Sequence, residues 1–133
     1  GDWNDGMNLV GEHGKGESVW LGFFLYDVLM QFAPIAQKRG DGDFAALCTS
    51  EAAKLRQNIE ANAWDGAWYR RAYFDNGEPL GSIDNPECKI DSLPQSWSLL
   101  SGAGGVGRSH QALASLDEHL VRRELGLIQF VRR

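Results

Sequence analysis

The sequence predicts an all-α fold, part of an α/α toroid in which an inner ring of helices is shielded by an outer one. Three observations predict it. Residues 17–38 carry apolar side chains around nearly the whole helical circumference, so this helix must be surrounded by protein. Residues 43–63 are apolar on a single stripe, the signature of an outer helix wet on one side. The same buried-then-amphipathic order recurs at 92–101 and 109–122, although the two pairs share no residue-level repeat.

Each element follows from local chemistry. Five glycines, Gly1, Gly6, Gly11, Gly14 and Gly16, make residues 1–16 a loop. The first helix is expected to start at Glu17, an acid favourably placed on the first-turn dipole, and to stop before Gly40. Val19, Trp20, Phe23, Phe24, Val28, Leu29 and Phe32 fill its surface, while Gly22, Asp27, Gln31 and Pro34 make it a poor membrane span and a good buried helix. In the second helix Phe44, Leu47, Leu55 and Ile59 form the stripe, with Glu51, Lys54, Arg56 and Glu60 away from it. Aromatic runs on either side of Asp75-Asn76-Gly77 predict a β-hairpin over 68–83, with Pro79 suited to a short or edge strand. The third helix carries Leu93, Trp97, Leu99 and Leu100 and ends in Gly102-Ala103-Gly104-Gly105. The fourth shows Leu113, Leu116 and Leu120 on one face. Trp20, Trp64 and Trp68 are expected in the core, and His110 and His119 on a solvated face.

Composition narrows the function classes. With 133 residues, 43% hydrophobic and 23% charged, the chain is about one globular domain. A net charge of −5, with Arg122, Arg123, Arg132 and Arg133 as the sole dense basic cluster, argues against nucleic acid. Cys48 and Cys88 lie far apart without CxxC spacing or a nearby His, so they read as free thiols in a reducing compartment and no metal site is expected. Nothing resembles a signal peptide, and no direct membrane contact is expected. The chain begins without Met and stops just after an apolar run, so a piece of a larger protein is expected.

The opening stretch, Gly1-Asp2-Trp3-Asn4-Asp5-Gly6-Met7-Asn8, carries the candidate chemistry. A carboxylic acid that donates a proton at neutral pH needs desolvation by an apolar wall or repulsion from a second carboxylate, and Asp2, Trp3 and Asp5 could supply both. Trp3 also offers a flat face for a sugar ring. By residue type alone the stretch reads first as an ordinary acidic turn, with catalysis the lesser reading. A calcium loop starting at Asp2 fails, because Gly6, Met7 and His13 stand where a ligand, a glycine and a bidentate acid belong. The run from Gly11 to Ser18 lacks GxxxxGK[ST] spacing, which leaves the weaker expectation that this turn, with His13 and Lys15, holds an anion or a sugar hydroxyl, against a flexible connector.

That opening stretch, together with Gly16-Glu17-Ser18-Val19-Trp20, Ala63-Trp64-Asp65-Gly66-Ala67-Trp68-Tyr69-Arg70-Arg71-Ala72, Glu87-Cys88-Lys89-Ile90-Asp91-Ser92 and Gln95-Ser96-Trp97, resembles the inverting disaccharide phosphorylases of glycoside hydrolase family 94. The match covers nearly the whole chain. The insert from Gly11 to Gly16 and the segments Glu118-His119-Leu120-Val121 and Gly126-Leu127-Ile128-Gln129 look most like the phosphorylase region of cyclic β-1,2-glucan synthases. The resemblance implies an (α/α)6 barrel, of which residues 1–133 would supply about four helices with one hairpin insertion. It implies Asp5 as general acid, Trp3 at the sugar site, and Asp2 as a loop organiser that raises its neighbour's pKa. It implies β-glucan oligosaccharide and inorganic phosphate as substrates, no cofactor, and a cytoplasmic site within an inner-membrane-tethered synthase. The family's phosphate ligands fall outside this sequence, so the remainder of the barrel must come from a larger chain and the 133 residues alone are expected to be inactive. Arg70 and Arg71 alternate sides, so one of them, taken as Arg70, is expected to face the cleft and contact sugar or phosphate, the alternative being a surface salt bridge. Gln95 is expected either to reach sugar or to be a satisfied core amide. A non-catalytic carbohydrate-binding or assembly piece is the alternative function.

Overall fold

The computed structural model describes residues 1–131. Arg132 and Arg133, half of the basic cluster, lie outside the described residues. After the opening loop, which contains a one-turn 3-10 helix at Asp5–Met7, the elements are β1 (Glu17–Ser18), α1 (Val19–Lys38), α2 (Gly42–Asn62), β2 (Ala72–Tyr73), β3 (Pro79–Leu80), α3 (Ser92–Leu100), α4 (Val106–Leu120), β4 (Val121–Arg122), a second one-turn helix (Arg123–Leu125) and β5 (Leu127–Ile128). Four helices and a few two-residue strands thus carry the chain, in the order the periodicity predicts.

Side chains at the helix starts set the boundaries. Ser18, Asp41 and Asp91 cap α1, α2 and α3 by accepting from the backbone N–H of Leu21, Phe44 and Leu93. Glu17 is therefore not the first helical residue. It pairs with Tyr73, placing β1 beside β2 in a three-stranded antiparallel sheet of order β1-β2-β3. The hairpin exists but is shorter than expected: only Ala72↔Leu80 and Tyr73↔Pro79 pair, around a turn in which Gly77 takes φ 85°. The fourth helix starts at Val106, before the expected Ser109, and stops at Leu120 because Val121 and Arg122 leave it to pair with Ile128 and Leu127.

α1 lies along α2, α3 touches α1, and α4 packs on α3. The core between them holds Phe23, Ile59, Trp68, Tyr69, Ile90, Leu116 and Leu120, with the Phe23 and Tyr69 rings edge to face at 5.1 Å. A carboxylate closes the far side: Glu60, near the end of α2, accepts from the Tyr69 hydroxyl and the Gly105 N–H, and pairs with Arg108 of α4 at 2.9 Å. It thereby serves α4, whose own N-cap, Gly105, has no side chain.

Two expectations need correction. Within the described residues α1 is not enclosed: Phe24, Leu25, Val28, Met30, Phe32 and Ile35 are exposed, because α2 and α3 cover only the side bearing Val19, Trp20, Phe23, Ala33 and Ala36. By length and composition α1 would also suffice to cross a membrane, although a core helix passes the same test. His119 is not simply solvated; its ring packs edge-on against Trp68 at 5.6 Å. Trp20 and Trp68 are buried, Trp64 is half-buried with the Arg108 guanidinium over its ring, and Cys48 and Cys88 are free thiols.

Candidate active site

The opening loop is tied down by its own polar side chains. Asp2 Oδ1 accepts from the Asn4 N–H at 3.0 Å and Asn4 Oδ1 accepts from the Gly6 N–H at 2.9 Å, so two successive side-chain turns roll the chain into the one-turn helix at Asp5–Met7. Beneath it lies Arg71, fully buried. Arg71 Nη1 and Nη2 meet the two oxygens of Asp2 at 2.5 and 3.1 Å, Nε reaches Asp91 Oδ2 at 3.1 Å, and Nη1 also donates to Ser18 Oγ at 3.0 Å. Gly81, at φ 79°, makes room for this residue: a Cβ there would sit 2.7 Å from the Arg71 backbone nitrogen.

One guanidinium between two carboxylates leaves them unequal. Burial pushes Asp2 upward, but the Arg71 guanidinium, the Ser18 hydroxyl and the Asn4 N–H outweigh it and hold the carboxyl below the ordinary aspartate range. Burial wins at Asp91, whose carboxyl is pushed up to about 6 despite the Leu93 N–H and Arg71. Asp2 thus ties the Asn4 N–H of the loop to Arg71. Its negative charge is compensated by Arg71.

Asp5 starts the one-turn helix with its side chain exposed, and Trp3 is 64% exposed, its ring edge to face with buried Trp20 at 5.8 Å. A groove of about 560 Å³ between α1, α2 and the sheet is lined by Ser18, Leu25, Leu55, Ile59 and Tyr73 among others, but by neither Trp3 nor Asp5. Arg70 turns the other way from Arg71. Its Nε donates to Asp65 Oδ1 at 2.8 Å and its Nη1 to the Tyr73 hydroxyl at 3.1 Å, an ion pair at the base of the hairpin. Gln95 is fully buried: its oxygen accepts from the Tyr69 N–H, and its nitrogen donates to the carbonyls of Tyr69 and Asp91, each at 2.8 Å. That is the satisfied core amide of the two readings.

The loop at 11–16 does hold an anion through its backbone, and the anion is internal. The Asp75 carboxylate of the hairpin turn accepts from the N–H groups of His13, Lys15 and Gly16. Those N–H groups, that of Lys15 foremost, hold Asp75 below the ordinary aspartate range. Among the described residues no cluster of three His, Cys, Asp or Glu could hold a metal ion. The sequence sets Arg71 beside Arg70 as alternatives for the cleft and assigns no role to Asp91 or Ser18. The signal available was the Arg70-Arg71 pair, whose alternation separates the two side chains without saying which goes in.

A helical scaffold thus pins an Asp-Trp-Asn-Asp loop, through Arg71, against the N-termini of α1 and α3. The chain belongs to the Glycosyl hydrolase 94 superfamily, catalytic domain, whose family model matches residues 1–131. It is 48% identical over 129 residues to the cyclic beta-(1,2)-glucan synthase NdvB of Rhizobium meliloti (strain 1021), covering 97% of this chain and 5% of that protein. It is 39% identical over 122 residues to a solabiose phosphorylase of Paenibacillus borealis, covering 90% of this chain and 16% of the relative. A 3-O-beta-D-glucopyranosyl-beta-D-glucuronide phosphorylase of the same organism is 33% identical over 117 residues, covering 88% and 15%. The chain is therefore a fragment, spanning less than a fifth of the length of each of these relatives.

Proposed function

We propose that the chain is the general-acid segment of an inverting β-glucan phosphorylase domain, acting on β-1,2-gluco-oligosaccharide within a cyclic glucan synthase. Inorganic phosphate is itself an anionic nucleophile, so one protein carboxylic acid suffices where an inverting hydrolase needs a second carboxylate to activate water. A phosphate oxygen attacks the anomeric carbon, the glycosidic C–O bond breaks, and the Asp5 carboxyl passes its proton to the departing oxygen. The products are α-glucose 1-phosphate and the shortened glucan, with Asp5 left as a carboxylate. Trp3 stacks on the sugar on the non-reducing side of the bond. No cofactor takes part; the remainder of the barrel supplies the phosphate ligands, and the larger synthase tethers the domain on the cytoplasmic side of the inner membrane.

The observation that supports this reading is the division between the two acids of the loop. Asp2 is locked in a buried ion pair, while the Asp5 side chain, three residues on, makes no hydrogen bond or ion pair among the described residues and is left accessible, two residues after the exposed Trp3. In the complete domain, Asp5→Asn should lower kcat by roughly 10²-fold or more with the fold intact, which circular dichroism checks. Full activity in that variant would remove Asp5 from the chemistry. The second reading, sugar binding without turnover, is favoured by Trp3 alone and predicts tryptophan fluorescence changes with β-1,2-gluco-oligosaccharides but no phosphate-dependent product.

A further inference from the structure

One guanidinium joins three segments far apart in the sequence. Asp91 caps α3 with Oδ1 and takes Arg71 Nε with Oδ2. Ser18, the cap of α1, accepts from Arg71 Nη1, and Asp2 of the opening loop takes both terminal nitrogens. Arg71 is itself held by the main chain: its N–H donates to the Leu80 carbonyl at 2.8 Å and its carbonyl accepts from the Val19 N–H at 3.1 Å. The fork is therefore tied by main-chain hydrogen bonds to β3 on one side and to the start of α1 on the other.

From the fork a single line of hydrogen bonds runs to the reacting position. Asp2 Oδ1, fixed by Arg71 Nη2, accepts the Asn4 N–H, and Asn4 Oδ1 accepts the Gly6 N–H. Asp5 lies between those two pinned amides. The guanidinium also lies over the Trp20 ring, 5.9 Å from its centroid, and Trp20 is the ring against which Trp3 packs. Both side chains assigned to the sugar are thus oriented through Arg71. A planar fork fixes the plane of the Asp2 carboxylate, whereas a point charge at the same place would fix only its distance.

We propose that Arg71 is a positioning residue, which sets the angle at which the opening loop presents Asp5 and Trp3 to the glycosidic bond by clamping Asp2 against the N-termini of α1 and α3. The proposal rests on reading Asp5 as the proton donor.

The test uses the complete domain, phosphate and a series of aryl β-glucosides whose phenols range from weakly to strongly acidic. Strongly acidic phenols leave without protonation, so only a defect in proton donation makes the rate depend steeply on the phenol. Arg71→Lys should lose about 10²-fold in kcat on the least acidic phenol and on the natural glucan, a displacement effect of the size expected for small misplacements, with little loss on the most acidic. Asp5→Asn serves as the reference and should show the same steep dependence. If Asp5→Asn shows it and Arg71→Lys does not, or loses activity equally on every phenol in step with its folded fraction, Arg71 is merely structural and the positioning role is overturned. If Asp5→Asn itself shows no dependence on the phenol, the general-acid reading fails first. Asp2→Asn, which keeps the acceptor for Asn4 but weakens the clamp, provides the same readout should Arg71→Lys fold poorly.

Discussion

Replacing Glu60 by glutamine removes one charge from the place where α2, the Tyr69 segment and α4 meet. Glu60 Oε1 accepts from the Tyr69 hydroxyl and, at 3.0 Å, from the Gly105 N–H, while Oε2 accepts from Arg108 Nη1 at 2.9 Å. Glutamine can keep the first two bonds in neutral form and turns an NH2 toward Arg108. Hydrogen bonds to charged groups contribute about 1.5–3 kcal/mol against about 1 for neutral ones, so the two retained bonds lose roughly 1–4 kcal/mol together. The Arg108 pair adds at most about 1 kcal/mol, because its side chains are 39% and 26% exposed. The expected loss is about 1–5 kcal/mol at pH 7. Burial pushes the Glu60 carboxyl up, but the Tyr69 hydroxyl, the Gly105 N–H and Arg108 outweigh it and hold it below the ordinary glutamate value of 4.5. A depressed folded value means stability present in full above 4.5 and lost as pH falls through the lower, folded value, so the gap between wild type and Glu60→Gln must narrow on acidification. Urea unfolding of the domain at pH 7 and pH 3.5 measures the gap, and hydrogen exchange at the Gly105 amide reports the local loss. Wild type and variant within about 0.5 kcal/mol at pH 7, or a gap unchanged on acidification, would refute the reasoning.

Two further outcomes follow from the ion cluster. Gly81→Ala should destabilise by about 2–4 kcal/mol, the left-handed backbone costing about 1–2 and the rest coming from a Cβ driven into backbone that cannot yield; that contact would be 2.7 Å to the Arg71 nitrogen. Unfolding midpoints within error of wild type would show that β3 shifts freely. Asp91, pushed by burial up to about 6 from 3.8, contributes stability present in full below 3.8 and lost as pH rises through 6, a change of roughly 3 kcal/mol. Asp91→Asn keeps an acceptor for the Leu93 N–H but cannot titrate, so its unfolding free energy should lack this fall between pH 4 and pH 7; identical pH slopes would sink the assignment.

What the sequence made legible was local. Four helices followed from apolar spacing, and the hairpin from Asn76-Gly77, because each signal lies within one turn or one loop. The errors sit where distant segments meet. Glu17 satisfied every rule for a helix start, yet Tyr73 recruits it into a strand; Val121 and Arg122 continued the helical pattern until Leu127 and Ile128 drew them into another. At the site the residue types of the loop were readable and their roles were not. Nothing in Asp-Trp-Asn-Asp says that the first acid is buried and the second exposed, and Arg70 and Arg71 differ only in which side of the chain each faces. The same limit applied to Asp75, whose position in a turn gave no hint that it fills the backbone cradle at 13–16.

The opening loop also explains why an ion cluster, rather than apolar packing, holds it. Of residues 1–9 none is a buried hydrophobic; Val10 is the first, and Trp3 and Leu9 stand exposed. The loop therefore has little hydrophobic free energy with which to choose a conformation. A buried ion pair adds little net stability, since desolvation offsets attraction, but it is directional, and two parallel bonds fix orientation as well as distance. Apolar contacts would tolerate a sliding loop; the forked contact to Asp2 does not. On the proposed reading, in which the loop aims one carboxyl at one oxygen, orientation matters more than stability, and the stability is supplied nearby by Phe23, Trp68, Tyr69 and Ile90.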